Sequence, residues 1–181
     1  MPELSLSPVT ATPELLAPPV AAALTAMDPA LVARISAAPI DPGLADTAEF
    51  CAAYGRRLDD SANCIVVAGR RGEATTYAAL VVLATTRADV NKTVRRLLGA
   101  RKASFAPMAE AVALTGMEYG GITPIGLPAD WRILVDSRVW DVDAAIIGAG
   151  VRAAKLVLPG EVLGKLPGVE LIDDLATPTT D

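Results

Sequence analysis

Residues 117–131 read MEYGGITPIGLPADW and hold the groups best suited to meet an oxygen-rich ligand. Gly120 and Gly121 permit positive φ and leave backbone N–H groups uncovered. Pro124 and Pro128 fix φ and remove donors. The product is a stiff loop with exposed amides, able to stabilise negative charge as it develops. The same composition also serves a plain connection between two elements, which is its commoner role. A second glycine cluster lies at IIGAGVRA, where Gly148, Gly150 and Ala153 fit G-x-G-x-x-A and Glu170 follows about twenty residues on, as in a dinucleotide fingerprint. No convincing helix follows it, so a tight turn between strands is the better reading.

Arg87, Lys92, Arg95, Arg96, Arg101 and Lys102 place six basic residues in sixteen positions, against Asp89 alone. Such a run forms a solvated helix face or a contact for phosphates, and the second role would make binding salt-dependent. Cys64 follows Asn63 at the start of an expected strand. A free cysteine there acts by default as a small buried apolar residue, and no base is at hand to activate it. The chain has no histidine at all, which excludes Ser-His-Asp and Cys-His catalysis and leaves no expected metal site. No cofactor is expected.

The elements that must position these groups follow from length and pattern. The 181 residues, 52% of them hydrophobic, have room for one domain with a real core. A net charge of −5 argues against a globally basic nucleic-acid binder, and DNA is not an expected partner. Two cysteines give no disulfide framework, and there is neither a basic n-region nor an unbroken apolar span, so a cytoplasmic setting away from membranes is expected. Residues 1–12 read as a loose tail, 13–44 as a helical extension packed on the domain, 45–176 as the domain itself, and 177–181 as a second tail. Within the domain, Asp46 or Thr47 starts a helix that stops at Gly55. NCIVVAG and TYAALVVLATT read as two strands joined by a charged turn. Asp89 caps a helix with Val90, Val94, Leu97 and Leu98 on one stripe. Another helix starts at Pro107 and stops at Gly116. WRILVD, AAIIG, AKLVLP and VELID supply later strands. The clustering predicts an α+β fold.

Taken in order, these segments resemble the YbaK/EbsC family, which includes the insertion editing domain of bacterial prolyl-tRNA synthetases. The similarity runs over residues 46–175. It is strongest at LTGMEYGGITPIG, which matches the family's T-G followed by G-G-x-[ST]-P-x-G, and continues in LGARKASFAPMAEAVALTG and GAGVRAAK. The resemblance implies a central mixed, partly barrel-like sheet with surrounding helices. It implies hydrolysis of the ester between a small amino acid and the 3′ end of a mischarged tRNA, with the tRNA acceptor end as partner and an aminoacyl-tRNA synthetase as a second. Gly120 and Gly121 would then position the carbonyl. Ile122, Thr123, Pro124, Gly148, Gly150 and Arg152 would shape the substrate pocket, and the basic run from Arg87 to Lys102 would meet the tRNA.

The sequence departs from the family pattern at charged positions. Asn63 stands where the family carries a lysine, Lys155 where it has an aspartate, Gly148 where it has a serine, and PADW where a basic pair can follow the loop. Asn63 and Lys155 are accordingly the candidate catalytic pair, with the cation moved from one strand to another. Two functions stay open: a freestanding editing hydrolase, which the intact glycine loop favours, and a non-catalytic module binding an aminoacyl-nucleotide end or another small ligand, which Asn63 favours.

Overall fold

A computed structural model describes residues 2–179. Strands β1 (Ser7–Pro8) and β2 (Ser36–Pro39) pair antiparallel around an excursion that holds helices α1 (Pro18–Ala26) and α2 (Pro29–Val32). Prolines open both helices, where a missing N–H leaves no bond unmade. Helix α3 (Thr47–Tyr54) ends at Gly55, whose φ of 62° lets the chain turn left-handed. Strands β3 (Ala62–Arg71) and β4 (Ala74–Leu83) form a hairpin turned at Gly72, and β5 (Thr86–Ala88) follows. The basic run then divides. Asp89 caps a π-helical turn, Val90–Val94, by accepting from the Lys92 N–H, and this runs into α4 (Arg95–Leu97). Strand β6 (Lys102–Phe105) and α5 (Met108–Thr115) come next. The chain closes with β7 (Arg132–Asp136), β8 (Ala145–Gly148), β9 (Ala154–Leu158), α6 (Gly160–Leu163), β10 (Val169–Ile172) and β11 (Ala176–Pro178).

The strands make a five-stranded mixed sheet in the order β10-β7-β4-β3-β6, a four-stranded antiparallel sheet β1-β2-β9-β8, and a two-stranded ribbon β11-β5. Side-chain alternation sorts the core. Ala79, Val81 and Leu83 of β4, Ile133 and Val135 of β7, and Leu156 and Leu158 of β9 share one core between the two main sheets. The intervening residues Leu80, Val82 and Leu134 face a second core under Val90 and Val94. Phe50 of α3 packs on the outer face of the smaller sheet against Ala38 and Ile146. Besides this shared core, a parallel bridge from Ser61, just before β3, to Ile146 of β8 links the two sheets. The fold is thus α+β and mixed as expected, but the sheets do not close into a barrel.

Three local expectations differ from what is observed. Residues 1–12 were expected as a loose tail, yet Ser7 and Pro8 pair with β2, and Val9 is buried with its N–H on the Ile35 carbonyl. Burial of Leu4 and Val9 together with the pairing to β2 fixes a Pro- and Thr-rich stretch. Residues 13–44 contain the expected helices but also β2, which lies between β1 and β9 inside the smaller sheet rather than over it. Thr177, expected in a tail, pairs with Arg87. Among the described residues, no helix is long and apolar enough to cross a membrane.

The end of the PADW segment is anchored in the core. Trp131 is buried and stacks on Tyr77 with ring centroids 5.5 Å apart. Trp131→Ala is therefore expected to destabilise the fold by about 3–5 kcal/mol, whereas Tyr119→Ala, at an exposed position of the same loop, is expected to change stability by less than about 0.5 kcal/mol. Urea unfolding of the two variants checks the contrast.

Candidate functional site

Strand β3 is paired unequally along its two edges. One edge meets β4 from Ala62 to Arg71, while the other meets β6 only from Val67 to Arg70 and touches β8 only at Ser61. The Val66 carbonyl accepts from the Ala106 N–H on this second edge. Strand alternation then turns the N–H and C=O of Cys64 to the same edge, where among the described residues no strand pairs with them. A cavity of about 350 Å³ occupies the gap. Asn63 to Val66 form one wall, and Ile146 to Gly148 another. The start of α3 closes one side, Tyr119, Gly120 and Ile122 close the opposite side, and Phe105 stands at the rim.

Lys155 is the cation lining this cavity and is buried. It lies on β9 opposite Gly148, on the sheet face that α3 covers. Its ammonium donates to the Ala45 carbonyl at 2.7 Å and sits 5.3 Å from the centre of the Phe50 ring. Burial lowers its pKa from the ordinary lysine value; nearby Cys51 and Asp46 offset part of that effect, and Arg152 adds to it. One N–H is taken by Ala45, which leaves two donors. Asn63 accepts through Oδ1 from the Thr47 hydroxyl at 2.7 Å, and this fixes its amide with the NH₂ left as donor. Asp46 is the carboxylate lining the cavity, at its exposed rim and 3.5 Å from Arg152.

The glycine loop and the β8–β9 turn interlock through their backbones. Gly121 donates to Glu118, Gly150 donates to Gly121, and Glu118 donates to Gly150, at 2.8–2.9 Å. A Cβ on Gly121 would lie 2.5 Å from the Val151 carbonyl, and one on Gly148 would strike the Gly121 carbonyl. The paired glycines thus have different reasons. Gly121 is required by close approach, and its N–H is already used. Gly120, at φ 85°, lines the cavity, and its N–H has no partner among the described residues.

Of the sequence candidates, Asn63, Gly120, Ile122, Gly148 and Lys155 line the cavity. Gly121, Thr123, Pro124, Gly150 and Arg152 stand behind it. Thr123 is fully buried with an unpartnered hydroxyl, and Pro124 is buried beside it. Arg152 straps the loop to the segment before α3, donating to the Tyr119 carbonyl at 3.3 Å and the Pro42 carbonyl at 3.2 Å. The basic run is not one helix face. Arg87 lies on β5, Lys92 and Arg96 on the exposed helical turns, while Arg95, Arg101 and Lys102 meet Arg70 in a separate groove. The β8–β9 pair is an antiparallel hairpin, and Glu170 binds Arg132 at 2.7 Å, so the dinucleotide pattern is a turn. Sequence reasoning missed Asp46, Phe50, Phe105 and Tyr119 as lining residues. Only the exposed aromatics carried a signal, as large apolar groups beside glycine and proline. Among the described residues, no group of three or more His, Cys, Asp or Glu side chains converges as a metal site.

The family model described as the aminoacyl-tRNA editing domain matches residues 41–166. Solved structures share the fold. A candidate trans-editing enzyme for prolyl tRNA synthetase superposes with a TM-score of 0.72 at 21% identity, over 87% of this chain and 94% of that one. Hypothetical protein APE2540 does so with a TM-score of 0.65 at 24% identity, over 77% and 86%. A scaffold from epitope backbone grafting by computational design gives 0.70 at 22%, over 87% and 95%. No curated protein matches the chain. The matched span includes every residue that lines the cavity, and it covers more than half of the sequence: the chain belongs to the aminoacyl-tRNA editing domain family, the YbaK family.

Proposed function

We propose that this protein hydrolyses, in trans, the ester between a small amino acid and the 3′ end of a mischarged tRNA. The observation that carries the reading is the convergence of Lys155, Asn63, Gly120 and the open edge of β3 on one cavity. At about 350 Å³ the cavity is near the lower end of the ligand-pocket range. That volume suits a small aminoacyl group with its ribose, and the apolar walls from Phe50, Ile122 and Ile147 suit a short side chain.

Water is the nucleophile. Its oxygen adds to the ester carbonyl carbon, and the bond to the ribose oxygen breaks. The proton given up by water ends on that ribose oxygen, releasing the free amino acid and a terminal hydroxyl. Negative charge on the carbonyl oxygen is met by the Lys155 ammonium and the Gly120 N–H, and the Asn63 amide orients the substrate. A neighbouring hydroxyl of the substrate assists the proton transfer. Cys64 takes no part: its thiol packs on the main core, and burial pushes its pKa up to about 12. The second reading, a binding module without catalysis, rests on Asn63 and on the exposed, Arg152-held position of Asp46.

A panel of mischarged tRNAs decides between the two: hydrolysis of one carrying a small amino acid is expected, and tight binding without hydrolysis of any would establish the module. Lys155→Ala is expected to lower kcat/KM about 10- to 100-fold, or about 1.4–2.7 kcal/mol. Asn63→Lys is expected to depress activity as well, because two cations would crowd one cavity.

The pH profile adds a check. The folded-state pKa of Lys155 lies below the unfolded value, so the unfolded chain binds the extra proton between the two. Stability therefore rises with pH through that window. The Lys155-dependent part of the rate falls over the same window, and Lys155→Ala is expected to remove that fall. Cys64→Ala is expected to keep activity within about twofold, and native Cys64 to resist iodoacetamide near pH 8. Mass spectrometry of the alkylated protein checks the latter.

A further inference from the structure

Two features of the surface take no part in the proposed hydrolytic step, and strand β6 joins them. At one end, Phe105 and Tyr119 stand at the cavity rim with 56% and 55% of their surface exposed. Among the described residues, neither ring packs on another aromatic ring, unlike Phe50 and Tyr77. At the other end is a groove of about 390 Å³ lined by Arg70, Arg95, Arg101 and Lys102, with Asn91 and Ser104 between them and no carboxylate. Among the described residues, none of the four cations is in an ion pair, although the chain as a whole is acidic. The groove has a fixed shape: the Arg101 N–H donates to the Arg70 carbonyl at 2.8 Å, and Arg95 reaches the Arg101 carbonyl at 3.5 Å. β6 is the edge strand of its sheet, so among the described residues no strand pairs with its outer edge. Three residues of strand separate Lys102 from Phe105, a distance of about 10 Å.

We propose that the single-stranded 3′ end of the tRNA lies along β6, with its terminal base against Phe105 and Tyr119 and the preceding phosphates in the Arg70–Arg95–Arg101–Lys102 groove. This rests on the reading that the adjoining cavity takes the aminoacyl ester. The chemistry divides between the two ends. Free aromatic faces bind a base by stacking, which is sequence-tolerant and weakly dependent on salt. Unpaired cations bind phosphates and release counterions, which is strongly dependent on salt. Arg87, Lys92 and Arg96 lie off the path and are not assigned to it.

The test uses a labelled single-stranded RNA ending in CCA, the same RNA with an abasic terminal residue, and fluorescence anisotropy over a series of salt concentrations. Wild-type protein is expected to prefer the intact end. Phe105→Ala and Tyr119→Ala should each weaken binding at least about fivefold, abolish that preference and leave the salt slope unchanged. Phe105→Trp should retain the preference, which separates stacking from a general loss of surface. Arg95→Gln with Arg101→Gln should lower the slope by about 1.4 and keep the preference. Undiminished binding by both aromatic variants, or an unchanged slope in the arginine variant, overturns the track. The outcome is separable from the catalytic reading: these binding dependences without hydrolysis of any mischarged tRNA sink the hydrolase and leave the track, whereas hydrolysis insensitive to both sets of variants does the reverse.

Discussion

Backbone groups at a strand edge have to be answered, by another strand, by water or by a ligand. Along β3 one edge is answered throughout, and the other only at its ends, by β6 and by the contact with Ile146. The rest of the site follows from that interruption. The two main sheets diverge where the pairing stops, the gap between them is the cavity, and α3 and the glycine loop are the elements near enough to border it. The site is therefore formed by missing sheet rather than by an added structure.

Electrostatics in the gap are sparse. Lys155 is the lining cation and Asp46 the lining carboxylate, and they differ in surroundings, one buried under α3 and the other at the exposed rim. Burial of an ammonium is unfavourable unless it is hydrogen-bonded. Here the Ala45 carbonyl and the face of Phe50 offset that cost. Thr47 does the equivalent for Asn63. Helix α3 thus holds both Asn63 and Lys155, although neither lies on it. Lys155 reaches the cavity from β9, a different wall from the β3 wall that carries Asn63.

Much of the fold was legible because its signals are local. The hairpin of β3 and β4, the helix stops at Gly55 and Gly116, and the strands after Trp131 follow from alternation and from glycine at left-handed positions. Strands β1, β2 and β6 were not legible. Each is four residues or fewer, and SAAP and KASF lack the β-branched runs that mark a strand. In the site, the chain order of motifs brought out Gly120, Gly148, Asn63 and Lys155. It could not tell that Gly121 answers to Val151, or that Arg152 is a strap, because those facts depend on contacts across about thirty residues or more of chain. The burial of Lys155 is of the same kind, since the helix that covers it lies about a hundred residues upstream.

The two main-chain bonds between the glycine loop and the β8–β9 turn have a bearing on how molecules are chosen. A segment that serves as a moving flap is tied down lightly, by side chains that can let go. This one is riveted backbone to backbone, with Gly121 lying on Val151 too closely for a methyl group between them. Swinging it outward would break several hydrogen bonds at once. The aperture is consequently a sieve of set mesh: it sorts by what fits, and does not clasp what has entered. Such a device rejects bulk well and discriminates poorly among compounds smaller than its opening, which is the behaviour wanted of a second filter placed after a first that has already excluded what is too large.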